Sequence, residues 1–204
     1  MATHTDSQFH VHHDSPAQIG RRERLGVRLL IVADGAFVFG MIFSYFYLKN
    51  LNSNNGWIPV KGHTFTAVSG WWAVLPFIVV ALMHKLAQRR TTMFGVLSVL
   101  AVIVIAAGTY YQWHQLASMK FMHTNDAGDN VFEGAYASNW VLIAGANMFH
   151  YIITLFVALG LAIRHRRAHV NANLEKWRQK TASSWFTWTA VSGIALALTT
   201  TFIR

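Results

Sequence analysis

The sequence predicts an all-α, polytopic membrane protein with five transmembrane helices, its N-terminus cytoplasmic and its C-terminus outside. Three observations carry this. The 204 residues are 53% hydrophobic and only 12% charged, whereas a soluble domain carries roughly 25% charged residues. Five segments are apolar over about the 20 residues that a helix needs to cross a ~30 Å hydrocarbon core. The basic residues gather in the connectors of one side, as they do in multi-spanning proteins.

Residues 1–24 read as a polar, flexible cytoplasmic segment, and 25–204 as a single five-helix domain. The first eighteen residues hold no apolar core ahead of a small-residue cleavage site, so no signal peptide is expected. The run "FHVHH" sets His10, His12 and His13 together. Such a tract binds divalent metal weakly, and its blander reading is a solvated tail.

Helix 1 is expected over 25–48. It contains Asp34 near mid-membrane, ~15 Å from the inner end at 1.5 Å per residue. A carboxylate facing lipid there costs on the order of 3 kcal/mol, so a protein partner is expected. Ala36, Gly40 and Ser44 recur every four residues and predict a small-residue stripe along which another helix packs closely. Arg28 lies one turn inside and can snorkel to the headgroups. The connector "NLNSNNGWIPVKGH" has a turn composition.

Helix 2 is expected over 67–86 and helix 3 over 92–116. Gln112 in helix 3 falls near the outer interface and needs no special role. The loop "MHTNDAGDNVFEGAYAS" follows, with Asp126, Asp129 and Glu133. It lacks the spacing of a calcium-binding EF-hand loop and reads as a solvated loop or a partner contact. Helix 4 is expected over 139–163. Asn147, His150 and Thr154 are spaced by three and four and form one polar stripe on it. His150 falls at the depth of Asp34, so the two are expected to meet across helices 1 and 4, as a structural clasp or as part of a proton relay. Gly35 and Gly145 are expected to permit the close backbone approach a short Asp requires. Helix 5 is expected over 183–203.

No segment shows the period-2 alternation of a barrel strand, and backbone satisfaction in lipid then requires helices. Arg21, Arg22 and Arg24 precede helix 1. Lys85, Arg89 and Arg90 join helices 2 and 3, and Arg164, Arg166, Arg167, Lys176, Arg178 and Lys180 join helices 4 and 5. The opposite side holds Lys49, Lys61, Lys120 and Arg204. This asymmetry sets the orientation. It also turns the net charge of +9 from a nucleic-acid signal into a topological one. Arg21, Arg22, Arg24 and Arg28 together are a candidate phospholipid headgroup site against helices 1 and 2.

The chain contains no cysteine, which excludes disulfides, thiolate metal sites and thioether-bound haem. A haem or copper ligand set from histidine is disfavoured, because His84, His114, His165 and His169 fall near helix ends or in loops and none matches His150 in depth. No catalytic residue and no metal site is expected. Trp57, Trp71, Trp72, Trp113, Trp140 and Trp185 fall at or near expected helix ends and read as interfacial belt residues. No internal repeat of helix pairs is present, which disfavours a transporter.

The stretch "LGVRLLIVADGAFVFGMIFSYFYLK" resembles the opening of haem-copper terminal oxidase subunit III, in its short five-helix bacterial form. Leu25, Gly26, Ala33, Asp34, Phe37, Gly40, Tyr45 and Phe46 match without a gap, with Asp34 where the family normally has Glu. "GAYASNWVLIAGANMFHYIITLFVALGLAIR" is similar to the penultimate helix, with Gly145 and His150 in register. Departures are Asn147 at a frequent second His, Gln112 near a usual Glu, and Phe186 to Ala190 in place of Trp-His-Phe-Val-Asp. The resemblance implies a non-catalytic accessory subunit in a bacterial cytoplasmic (inner) membrane, without a cofactor of its own. It would pack on subunit I, with subunit II and small subunits nearby, bind phospholipid and support proton uptake during oxygen reduction. Haem and copper would sit in the partner subunits. An accessory subunit of a quinol oxidase or nitric oxide reductase, and a small proton-coupled transporter, are the alternatives.

Overall fold

The computed structural model describes residues 15–52, 57, 67–87, 91–118, 122–124, 127–128, 130–132, 134–165 and 172–201. They form five helices, α1 (Pro16–Asn50), α2 (Ala67–Ala87), α3 (Thr91–Ala117), α4 (Ala135–His165) and α5 (Ala172–Thr201). The other regular structure among the described residues is one small hairpin, β1 (Met122–Thr124) paired antiparallel with β2 (Asn130–Phe132), with His123 opposite Val131. Gly128 adopts φ 86° within this loop, a left-handed conformation that glycine enters at no steric cost. The metal-tract histidines His10, His12 and His13, the loop acids Asp126, Asp129 and Glu133, and Lys61, Arg89, Arg90, Lys120, Arg166, Arg167, His169 and Arg204 lie outside the described residues.

Four helices, Pro16–Asn50, Gly70–Ala87, Met93–Ala117 and Ala135–His165, are long and apolar enough to cross a membrane. The chain is thus a multi-pass membrane protein by the length and composition of its helices. The fifth expected span differs. α5 starts eleven residues before the expected 183 and does not reach that apolarity. Its hydroxyls explain how a Ser/Thr-rich helix stays satisfied. Thr181, Ser184, Thr187 and Thr199 each donate to the carbonyl four residues earlier, at 2.8 to 3.0 Å. Back-bonding of this kind removes the need for water.

α1 also starts early. Residues 16–24, expected as part of a flexible segment, are helical. The cause is a capping box, in which Ser15 Oγ accepts from the Gln18 amide and Gln18 Oε1 accepts from the Ser15 amide at 2.8 Å, with Pro16 at the first helical position. At 1.5 Å per residue the helix is on the order of 50 Å long, well beyond a hydrocarbon core. Its extra turns lie beside the early turns of α5. Gly20 packs there so closely that a Cβ would fall 2.4 Å from the Trp177 ring, and Arg178 pairs with Glu23 at 3.4 Å.

The helices close a ring in the order α1, α5, α2, α3, α4, and α5 also reaches across to α4. The inward stripe of α1 is Asp34, Val38, Met41 and Tyr45, spaced as one helical face. The small-residue stripe expected to carry close packing points elsewhere. Ala36 and Gly40 are exposed, whereas Ser44 is half-buried and donates to Asn139 Oδ1 on α4 at 3.2 Å. A stripe displaced by two residues from Asp34 is rotated by about 200°, so both cannot face one core. Only 22% of the most apolar window of α1 is buried, which leaves Phe37, Phe39, Phe43 and Phe46 outward.

Tryptophan placement also departs from the belt expectation. Trp71, Trp72 and Trp113 are exposed, but Trp57, Trp140 and Trp185 are buried. Trp57 stands edge-on to Tyr45 at 4.9 Å and to Tyr136 at 5.6 Å, forming an aromatic plug where α1 and α4 meet. α2 contains Pro76, whose ring removes an N–H from the helix ladder. One turn earlier, the Ala73 carbonyl is bonded by the Tyr151 hydroxyl from α4.

Candidate functional site

The candidate site forms where the inward faces of α1, α4 and α5 converge. The polar stripe of α4 carries Asn147, His150 and Thr154, all buried, with the apolar Tyr151, Ala158 and Leu161 on the same side. A polar stripe on an apolar helix must turn to protein, because its groups have no partners in lipid.

The structure brings Asp34 and His150 together. His150 Nε2 lies 2.8 Å from Asp34 Oδ2 and 3.0 Å from Oδ1. His150 is fully buried and Asp34 is 7% exposed. The Trp188 indole Nε1 on α5 donates to Asp34 Oδ2 at 2.6 Å. Two ring N–H groups from two helices therefore converge on one carboxylate, which offsets much of the cost of burying it. The His150 ring is walled edge-on by Phe77 at 6.5 Å and Trp185 at 6.2 Å.

Trp188 was not anticipated as a site residue. A signal for it exists: an indole N–H in mid-helix needs an acceptor when buried, and Asp34 has two oxygens to offer. Gly35 lies against Trp188, which a Cβ would approach at 3.4 Å. It therefore makes room for α5 and not, as expected, for α4. Gly145, expected to ease the same approach from α4, is exposed with nothing near its Cβ position.

The rest of the stripe has its own partners. Thr154 Oγ1 accepts from the Trp185 indole at 3.1 Å. Asn147 Nδ2 donates to Gln112 Oε1 at 3.3 Å, and Gln112 Nε2 donates to Gln115 Oε1 at 2.9 Å. Gln112, expected at an interface without a special role, is in fact buried in the bundle. His84 likewise sits near a helix end as expected but is wholly buried. Its Nδ1 lies 2.9 Å from the Val80 carbonyl and its Nε2 3.2 Å from Ser98 Oγ.

None of the four candidate headgroup arginines lines the large apolar cleft. Arg21, Arg22 and Arg28 are exposed and Arg24 is half-buried. The large apolar cleft, about 580 Å³, runs between α1 and α4 over α5, not between α1 and α2 as expected. Val27, Leu30, Phe156 and Val157 line it, and Arg164 stands at one end with the Glu23–Arg178 pair.

Chemically, the acid–histidine pair can share and exchange a proton. Among the described residues no group of three or more His, Asp or Glu side chains is placed to hold a metal ion. Comparison with protein-family models and with curated proteins finds no match.

Proposed function

We propose that the chain is a non-catalytic accessory subunit of a respiratory haem-copper oxidase, of the subunit III type, in a bacterial inner membrane. The observation that carries this reading is the contact between Asp34 and His150 across α1 and α4, at 2.8 Å, because these two residues occupy the acid and histidine positions of the resembling family. The outward faces support it as well. α1 leaves an apolar aromatic face and its small stripe open, as a helix does that packs on a larger intramembrane partner; subunit I would take that face, with subunit II and small subunits adjacent.

In this reading α5 is the fifth crossing, kept out of lipid by α1, α2 and α4, and the basic connectors face the cytoplasm. Haem and copper belong to the partner subunits, and the chain's own role is to steady subunit I and support its proton uptake. Phospholipid would occupy the α1–α4 cleft, its acyl chain along Phe156 and Leu30 and its headgroup at Arg164 and Arg178.

Purification from native membranes in mild detergent tests the reading. The expected result is co-migration with a large haem- and copper-containing complex that reduces oxygen. Recovery as a stable, partner-free chain would refute it, and co-migration with a nitric oxide or quinol-oxidising enzyme would reassign the partner.

A further inference from the structure

Two buried polar atoms on the α4 stripe lack a hydrogen-bond partner among the described residues, Asn147 Oδ1 and His150 Nδ1. They belong to residues one helical turn apart. Turning the Asn147 carboxamide over leaves its NH₂ orphaned instead and sets its oxygen against Gln112 Oε1, which is itself an acceptor. A buried polar group left without a partner is destabilising, so a native bundle is expected to supply one.

The space to fill it exists. A cavity of about 30 Å³ lies between α2, α3, α4 and α5, with Asn147 in its wall. A water needs roughly 10–15 Å³ of such space and two to four polar partners. Gln112, Gln115, Asn147 and Thr200 supply them. The lining also has a direction. Gly70 is in the first turn of α2, Gln115 in the last turn of α3 and Thr200 in the last turn of α5. The cavity therefore leads from the end of the bundle where α3 finishes and α4 begins, inward to Asn147, one turn short of His150.

We propose that this cavity is a hydration site whose water bonds the Asn147 carboxamide and reaches His150 Nδ1, putting the Asp34–His150 pair in protonic contact with the α3–α4 end of the bundle. The exchange balances within the groups present. A proton passes from water to Nδ1, the Nε2 proton passes to an Asp34 carboxylate oxygen, and the ring is left neutral with its proton on Nδ1. The water is left as hydroxide until the aqueous end returns a proton. The inference does not depend on which complex the chain belongs to.

Ring N–H exchange in D₂O tests it, on the full chain with its native partners, labelled with ¹⁵N-histidine and ¹⁵N-tryptophan and placed in lipid vesicles. His150→Gln and Trp185→Phe assign the signals. The Trp185 indole is the internal standard, because it is bonded to Thr154, one turn farther along α4 from Asn147 than His150 is. The His150 N–H is expected to exchange roughly tenfold or more faster than the Trp185 indole, as a site does that exchanges through standing water and not by local opening. Asn147→Leu should abolish that difference. Ala144→Val plugs the same cavity while keeping every polar group, and should do so too if Asn147→Leu fails to fold. Equal protection of His150 and Trp185 in the unaltered protein would overturn the proposal, as would unchanged exchange in the Ala144→Val variant.

Discussion

Trp188→Phe removes the indole N–H, so Asp34 Oδ2 loses a donor at 2.6 Å. It also withdraws the Cη2–Cζ2 edge of the indole that lies beside Gly35. Hydrogen bonds to charged groups contribute about 1.5–3 kcal/mol, and the vacated edge of the indole adds a small cavity cost. The loss expected is therefore about 2–3 kcal/mol, or on the order of 30- to 150-fold in the folding equilibrium at 1.4 kcal/mol per tenfold. A double-mutant cycle with Asp34→Asn isolates the pair, because cavity and transfer costs of the ring cancel between the two backgrounds. Stability is read by titrating the purified protein from mild into denaturing detergent and following tryptophan fluorescence and helical circular dichroism. A coupling of at least about 1 kcal/mol is expected, since an amide oxygen accepts the indole N–H more weakly than a carboxylate. Trp185→Phe is the comparison, losing only a neutral bond to Thr154 at 3.1 Å that is worth about 0.5–1.5 kcal/mol. A coupling within about 0.3 kcal/mol of zero would refute the view that α5 helps to hold the carboxylate.

Two further outcomes follow from the same packing. Asp34→Leu leaves His150 Nε2 without its acceptor and should loosen the subunit from its complex, whereas Asp34→Asn should assemble nearly normally; blue-native electrophoresis of solubilised membranes distinguishes them, and equal assembly of both would mean that the contact is dispensable. Gly108→Ala places a Cβ 2.4 Å from Tyr151 Cε1, so the phenol must give up its bond to Ala73 and its 4.2 Å stack on Phe77; overpacking of this kind costs about 1–3 kcal/mol, and an unchanged detergent-unfolding midpoint would contradict it.

The sequence made the helices legible where length and apolarity dominate. The ends of α2 and α3 fall within a residue of the expected ones, since the apolar run and the helix coincide there. α1 and α5 extend well past their apolar runs because the local signals are of another kind. Ser15, Pro16 and Gln18 form a helix start in polar sequence, and Ala172 to Lys180 is helical because it packs on that extension. The meeting of Asp34 and His150 was legible as well, from depth and from the shortage of other partners. The facing of α1 was not, because two periodic stripes compete on it. Spacing alone cannot say whether small residues or a carboxylate face the chain's own core. The burial cost of the carboxylate decides it: an unpaired Asp in hydrocarbon costs several kcal/mol, while an alanine or glycine turned outward costs almost nothing.

That choice explains why α5 stands where it does. A carboxylate has two oxygens, and His150 alone supplies one N–H to them. The second donor must come from a third helix, and only a helix lodged against both α1 and α4 can bring it. α5 has that position, and Trp185 and Trp188, three residues apart and so on one face, send their indoles to Thr154 on α4 and to Asp34 on α1. The two indole bonds fix both the rotation and the depth of α5. A helix with its low apolarity gains less from burial than its neighbours and has more need of such bonds to hold its register. The same polar contacts that make Asp34 tolerable therefore also determine the place of the least lipophilic helix in the bundle.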